Sequence, residues 1–393
     1  MPAPPRTAVL ALGTFAVGTS GYVVAGLLPA LVTELAVSPS TAAQLVTAFA
    51  IAYAIGSPLF AAATGRWERR RLLVVALGIT ALGNALAAVV SGFEPLLAAR
   101  VVTAIGAAVF TPAASAVAAE LTAPEHRGRA VALVFGGLTI ATILGVPLGS
   151  LLSQHFGYRM VFALVAAFSL LGAAAVGLVL PKVAPPPPVR LAERFMAAAD
   201  PRVLAMMGAT VLGCLAAFSV YTFIAPVLAE TTGVHGTAVS LLLFCYGIGG
   251  AIGNWLGGRV TDRWGPRRPL LVVFTATTLV LATLPLASTT VLGAAVILFL
   301  WGLCTWSVNP PIQSRLIELS PRQAGLVLSL NASAIYLGVG LSGLVGGAVL
   351  HSAGPRLLPE AAAILSALAL LVILLGFRRP APTPTPDLEP APA

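Results

Sequence analysis

Charge is rare in this chain. Only 9% of its 393 residues are Asp, Glu, Lys or Arg, yet the stretch TDRWGPRR (261–268) gathers Asp262, Arg263, Arg267 and Arg268 within seven positions. A carboxylate set among guanidiniums can accept charge-assisted hydrogen bonds, and a helix N-terminus attracts it as well. An altered copy, TGRWERRR (64–71), keeps Arg66 and Arg70 but has Gly65 where Asp262 would stand and Glu68 where Gly265 would stand.

Elsewhere the chemistry is mostly neutral. Away from their ends the long apolar stretches hold one charged side chain, Arg100. A charge at membrane depth is costly and marks a functional candidate; a long Arg side chain can also snorkel outward, here toward Glu94 or Glu34. None of the 13 carboxylates falls in the middle of an apolar stretch, and the four histidines fall in loops or at stretch ends. Trp301, Thr305, Asn309 and Gln313 recur every four residues and so share a helix face. Tyr22, Tyr221, Thr222, Asn254, Asn331 and Tyr336 add polar or aromatic groups on other stretches. Together they could line a cavity that binds a small molecule; singly, each could equally serve as an interhelical hydrogen bond.

The elements that must position these residues follow from composition. An apolar fraction of 58% and a mean hydropathy of +0.97 exceed what a soluble core needs. Twelve apolar stretches are expected to cross the bilayer: 7–33, 42–64, 71–92, 95–119, 129–153, 159–181, 203–228, 237–258, 269–288, 290–314, 324–350 and 357–377. In lipid such runs must be helices, since backbone groups have no water to bond. The fold class expected is therefore an all-α membrane protein. Pro310-Pro311 should break the tenth helix. With the N-terminus inside, 19 of the 22 Lys and Arg fall on the cytoplasmic side, leaving Arg159, Arg356 and the intramembrane Arg100. The net charge of +9 thus reports topology and not a nucleic-acid partner. Cys214, Cys245 and Cys304 lie within spans at no metal or disulfide spacing, and no metal site or cofactor is expected.

The two charged loops are 197 residues apart, and the same offset aligns Pro29 with Pro226, Pro124 with Pro321, Gly149 with Gly346, and Gly157 and Arg159 with Gly354 and Arg356. The chain reads as a six-helix unit repeated in parallel. Expected boundaries are a first bundle over 1–181, a proline-rich cytoplasmic linker over 182–202, a second bundle over 203–377 and a disordered tail over 378–393. Two such halves are the layout of a secondary transporter with its site between them.

Several motifs refine this. Gly258-x-x-x-Asp262-Arg263-x-Gly265 with Arg267-Arg268, Arg100 with Gly106, and Gly145-Val-Pro147-Leu-Gly149 form one pattern with YTFIAPVL (221–228), GNWLGGRVTDR (253–263) and SLNASAIYLG (329–338). In these the chain resembles the major facilitator superfamily, and within it the twelve-helix drug:proton antiporters that include bacterial arabinose-efflux and purine-efflux permeases. The resemblance implies the major facilitator fold, a rocking of two bundles, and gating by the loop residues, with Asp262 as a latch that closes the cytoplasmic side. Ordinary anchoring at the membrane surface is the alternative for the arginines. It also implies gating by Gly145, Pro147 and Gly149. One departure matters: Gly21 stands where related permeases carry an acidic residue.

The reading is a multi-pass transporter of the plasma (inner) membrane, both termini cytoplasmic, expected as a monomer. It would export a small neutral or amphipathic compound, with protons as the coupling ion in question. A sugar or nucleoside permease without ion coupling is the first alternative, and a membrane-embedded sensor the second. No Ser/His/Asp grouping or nucleotide motif supports an enzyme; GVGLSG (338–343) lies in an apolar span without the strand a dinucleotide site requires.

Overall fold

The computed structural model describes residues 5–123, 127–185, 200–320 and 324–378. Pro124, His126 and Pro321, most of the expected linker and nearly all of the tail lie outside them. The first half runs α1 (Pro5–Leu35), α2 (Pro39–Ala63), α3 (Arg69–Val89), α4 (Phe93–Glu120), α5 (Arg127–Ile140), a π-helical turn (Ala141–Gly145) and α6 (Val146–Val179). The second runs α7 (Pro201–Thr222), α8 (Ile224–Thr231), α9 (Thr237–Trp264), α10 (Arg267–Ala287), α11 (Val291–Ser307), α12 (Asn309–Leu319), α13 (Ala324–Ala353) and α14 (Leu358–Arg378).

Among the described residues eleven apolar helical stretches are long enough to cross a membrane, and one of them, Leu133–Val179, has 47 residues. At about 1.5 Å per residue it would measure roughly 70 Å, over twice a hydrocarbon core of about 30 Å. It does not run straight: Gly157 interrupts it with φ 74° and ψ 168°. The stretch is two crossings, which brings the total to the expected twelve. The tenth crossing is α11 and α12 together, divided at Val308 just before Pro310-Pro311.

The repeat is written into the backbone. Gly354, 197 residues after Gly157, has φ 82° and ψ 169°, the same left-handed turn that glycine adopts without steric cost. Ala36 (φ 52°) and Gly233 (φ 74°) form a second positive-φ pair at the same offset. Packing repeats too: α1 lies on α6 as α7 lies on α13, and α2 lies on α4 as α9 lies on α11.

The loops between the second and third crossings differ, and the substitution explains how. In the second half α9 continues to Trp264 and ends on Gly265 at φ 71°, ψ 172°. Glu68 stands at that position in the first half, and there the preceding helix stops at Ala63. Glu68 (φ −58°) instead caps α3, its carboxylate accepting from the N–H groups of Arg70 at 2.7 Å and Arg71 at 2.9 Å. The same carboxylate accepts from Val183 N–H at 3.1 Å, and Val183 C=O accepts from Arg69 N–H at 3.0 Å. The acidic residue of the first loop therefore ties its own half together, joining α3 to the segment after α6. Burial alone would raise the Glu68 carboxyl, but the Val183, Arg71 and Arg70 N–H groups outweigh it and hold it below the usual carboxylate range.

A depressed carboxyl stabilises the fold above its unfolded value, about 4.3, and loses that contribution as pH falls through the lower folded value. At neutral pH the tie is thus fully formed. Glu68→Gln should speed hydrogen exchange at the Val183, Arg70 and Arg71 amides about fivefold, the effect of losing a cap worth about 1 kcal/mol. Unchanged exchange at Val183 would show that the carboxylate does not hold the segment.

Candidate functional site

Aromatic side chains close the space between the halves. Phe49 and Tyr53, one turn apart on α2, face α13, where Tyr336 stacks on Tyr53 at 3.5 Å between ring centroids and meets Phe49 at 6.3 Å. On the other seam Tyr22 of α1 stacks on Phe218 of α7 at 5.5 Å and meets Trp306 of α11 edge-on at 6.2 Å. Behind these, inside the second half, Tyr246 of α9 packs against Tyr221 at 5.0 Å and Trp301 at 4.7 Å. Small residues permit the approach. A side chain at Gly340 or Gly343 of α13 would collide with Ile51 or Thr47 of α2, and one at Gly21 would meet the Phe49 ring at 3.3 Å. These glycines belong to helix packing, including those of GVGLSG.

Of the residues expected to form a site, Tyr22 and Tyr336 lie at the interface between halves, and Tyr221 and Trp301 lie one layer behind. Thr305 follows Trp301 on α11, whereas Asn309 begins α12 beyond the break at Val308. The four-residue series therefore does not continue as one straight face, because the helix divides within it. Asn254 is half-buried on α9. Asn331 is 2% exposed and accepts from Thr210 Oγ1 at 2.9 Å, an interhelical bond within the second half. Phe49, Tyr53, Phe218, Tyr246 and Trp306 were not anticipated. One signal was available: Phe49 and Tyr246 are repeat equivalents, 197 residues apart.

Arg100 does not snorkel. It is 0% exposed, eight residues into α4 counting from Phe93, and bonded to neither Glu34 nor Glu94. Its Nη1 donates to Ser20 Oγ at 3.3 Å, which in turn donates to Asn84 Oδ1 at 3.0 Å. Its Nε reaches Leu45 C=O at 3.5 Å, and its guanidinium carbon stands 4.4 Å from the centroid of Phe49. Cation–π contact of this kind gains strength when desolvated. Phe49, which faces the aromatic interface, thus rests on Arg100. Glu34 is engaged elsewhere, accepting from Tyr158 N–H at 3.3 Å beside the Gly157 turn.

The Tyr246 side chain hydrogen-bonds with those of Thr305 and Trp306, whereas Trp301 Nε1 is buried and closes no hydrogen bond, nor does Arg100 Nη2. A buried unmade bond costs about 1–3 kcal/mol, so the Trp301 indole favours a ligand that carries an acceptor. A carboxylate oxygen is not needed to satisfy an indole N–H; a carbonyl, nitro or hydroxyl oxygen suffices.

The two faces of the bundle are closed unequally. We call the face bearing Arg66, Arg70, Arg263, Arg267 and Arg268 the basic face. Beyond the hydrogen bonds that Tyr336 makes with Tyr22 and Tyr53 at the aromatic interface, four side-chain hydrogen bonds between halves lie toward the opposite face. Gln154 Nε2 donates to Ser240 Oγ (3.1 Å), Ser240 to Ser150 (2.8 Å), Thr237 to Gln154 Oε1 (3.2 Å), and Ser40 to Gly347 C=O (3.2 Å). The π-helical turn meets Gly247 of α9 within the same seam. Gly145 and Gly149 let this segment press on Thr19 and Val23 of α1, while Pro147 starts α6. On the basic face Asp262, Arg263, Arg267, Arg268 and Arg66 are exposed, and Gly258 touches nothing across the gap. Asp262 makes no hydrogen bond or ion pair among the described residues. Arg70 donates to Leu180 C=O at 3.3 Å, and its repeat equivalent Arg267 lies 5.5 Å from the Phe377 ring, 197 residues after Leu180. The structure is thus closed at the face away from the arginines.

Comparison with known proteins places this geometry. The chain is 32% identical to an inner membrane transport protein, YdhP, of Escherichia coli (strain K12), over 94% of its own length and 95% of that protein. It is also 32% identical to a chloramphenicol resistance protein of Streptomyces lividans, over 93% and 94%. Its fold matches a bacterial homolog of the human lysosomal transporter Spinster, solved in an inward-facing and occupied conformation, with a TM-score of 0.74, 18% identity, and coverage of 95% and 96%. The model of the Major Facilitator Superfamily matches twice, over residues 10–224 and 206–392. The chain belongs to the Major Facilitator Superfamily.

Proposed function

We propose that this transporter exports a neutral, aromatic or amphipathic compound bearing hydrogen-bond acceptors. The observation that carries the reading is the aromatic interface with the unpaired donor Trp301 Nε1 and the hydrogen-bonded Tyr246, Thr305 and Trp306 beside it. Aromatic walls supply area, and the donor fixes orientation. The Streptomyces relative named for chloramphenicol resistance and a chloramphenicol efflux pump of Mycobacterium tuberculosis, 28% identical, support a substrate of that kind. In this reading the basic face is cytoplasmic, both termini lie inside, and the cycle rocks the halves about the aromatic interface. The serine and glutamine seam holds the outer side shut, and Asp262 latches the inner side in the other state.

Proton coupling through a buried carboxylate has no support here. Arg100 meets hydroxyl, carbonyl and ring groups in place of an acid, and Gly21 offers no proton site. Arg100 acts through Phe49, setting the ring against Tyr336, and does not meet the substrate in this state.

Three outcomes are expected. In liposomes containing purified protein, chloramphenicol should exchange across the membrane. Trp301→Phe, which keeps an aromatic ring and removes the donor, should weaken its half-saturation roughly tenfold. Equal transport of chloramphenicol by both proteins would remove the donor role. An imposed pH gradient should not concentrate it; accumulation that is abolished in Glu34→Gln or Glu120→Gln would establish coupling through a carboxylate near a helix end. Spin labels placed on α2 and α13 should report opposite shifts for two gate variants. Ser240→Ala should widen the outer side, and Asp262→Asn should favour the state seen here. No change in either distance would reject the gates.

A further inference from the structure

A second recess lies away from the interface, on the basic face between α3 and α6. It measures about 520 Å³ and is lined by Glu68, Arg70, Arg71 and Lys182 above and Val74, Val75 and Gly177 below. The one acid accepts from three backbone N–H groups, and its charge also acts on Arg70. The three cations make no ion pair among the described residues, where the two observed are Arg202–Asp200 and Arg315–Glu318. Glu120 of α4 faces Arg69 and not these three. Arg70 gives one donor to Leu180 C=O and keeps others free, Arg71 leans toward Trp67 at 6.0 Å, and Lys182 is exposed.

The surroundings identify what fits. Val75, Leu178 and Val179 are 37%, 85% and 42% exposed on the flank of the recess, as lipid-facing side chains are. Trp67, 42% exposed, marks the interfacial level where indoles settle. Cations above an apolar groove match a phosphate head with acyl chains below it. In the second half the Phe377 ring lies under both Arg267 (5.5 Å) and Arg315 (5.2 Å), where the first half has Leu180.

We propose that the recess between α3 and α6 binds an anionic phospholipid of the cytoplasmic leaflet, its phosphate held by Arg70, Arg71 and Lys182 and its acyl chain laid over Val74, Val75 and Gly177. Basic pockets between transmembrane helices on the cytoplasmic side take such head groups, and guanidinium forks match phosphate oxygens in pairs. The assignment does not depend on which compound is transported.

Native mass spectrometry of the full-length protein, offered equal phosphatidylglycerol and phosphatidylcholine, should show phosphatidylglycerol retained at least about fivefold better, given about 1 kcal/mol per cation. The preference should vanish in R70Q/R71Q/K182Q and persist in R267Q/R268Q. No preference, or equal loss in both variants, would overturn the site in favour of a general basic belt. Displacement by millimolar inorganic phosphate would overturn the lipid assignment and leave a free-anion site. The unmutated cations can also be tested directly in vesicles. Phosphatidylglycerol with brominated chains should quench tryptophan fluorescence more than the brominated choline lipid, and the difference should disappear in W67F. A difference that survives in W67F places the lipid elsewhere.

Discussion

Inside a bilayer a polar group has no water to fall back on, and nearly every local feature of this transporter answers that constraint. Buried hydroxyls bond the carbonyl one turn back: Thr80 to Ala76, Thr103 to Ala99, Ser169 to Val165, Thr210 to Met206, Ser219 to Leu215. Such back-bonding satisfies a hydroxyl without a neighbour and lets helices slide against one another. Arg100 is the demanding case, because a guanidinium brings five donors. It is accommodated by Ser20, a carbonyl and two aromatic faces, Phe49 and Phe162. That solution turns the cost of one buried charge into a support for the ring that closes the interface.

The same constraint gives meaning to the groups left unpaired. In water an indole N–H without a protein partner is unremarkable; in an apolar interior it is a standing cost of order 1–3 kcal/mol. The Trp301 indole on α11 and one donor of Arg100 therefore mark where a ligand, or the other conformation, would supply acceptors. The hydrogen-bonded seam at the opposite face accepts the converse burden. Gln154, Ser150, Ser240 and Thr237 satisfy one another only while the halves meet, so opening that side must hand them to water. Because water is present at the membrane surface, these bonds can be exchanged cheaply, and a gate belongs there and not at the core.

Much of this was legible before any coordinates. Hydropathy located twelve crossings because helices in lipid leave no alternative, and the 197-residue offset paired Gly157 with Gly354, which share a backbone turn and not only a letter. The site was read less well. Asn331 is polar and central in sequence, yet it serves Thr210; spacing along one helix does not say which neighbour a side chain faces. Trp301 to Gln313 kept a four-residue period across a proline break that divides the face. Phe49 and Tyr53 were passed over because aromatics in an apolar run look like ordinary packing. What makes them functional candidates is the partner half, and pairing across halves is long-range information.

The loops show most clearly how a repeat diverges. Replacing the turn glycine by Glu68 removed a residue that tolerates positive φ and inserted one that caps a helix. Once Glu68 is bonded to Arg70, Arg71 and Val183, its carboxylate is committed to its own half, and in the proposed cycle the latch falls to the second loop. Asp262, with neither cap duty nor ion pair, stays available for that role. Arg70, Arg71 and Lys182 form no ion pair among the described residues, while Arg267 and Arg315 of the second half lean on Phe377. One substitution thus separates two tasks that an unaltered repeat would hold in both halves: Asp262 is free to act between the bundles, and Arg70, Arg71 and Lys182 are free to meet the membrane.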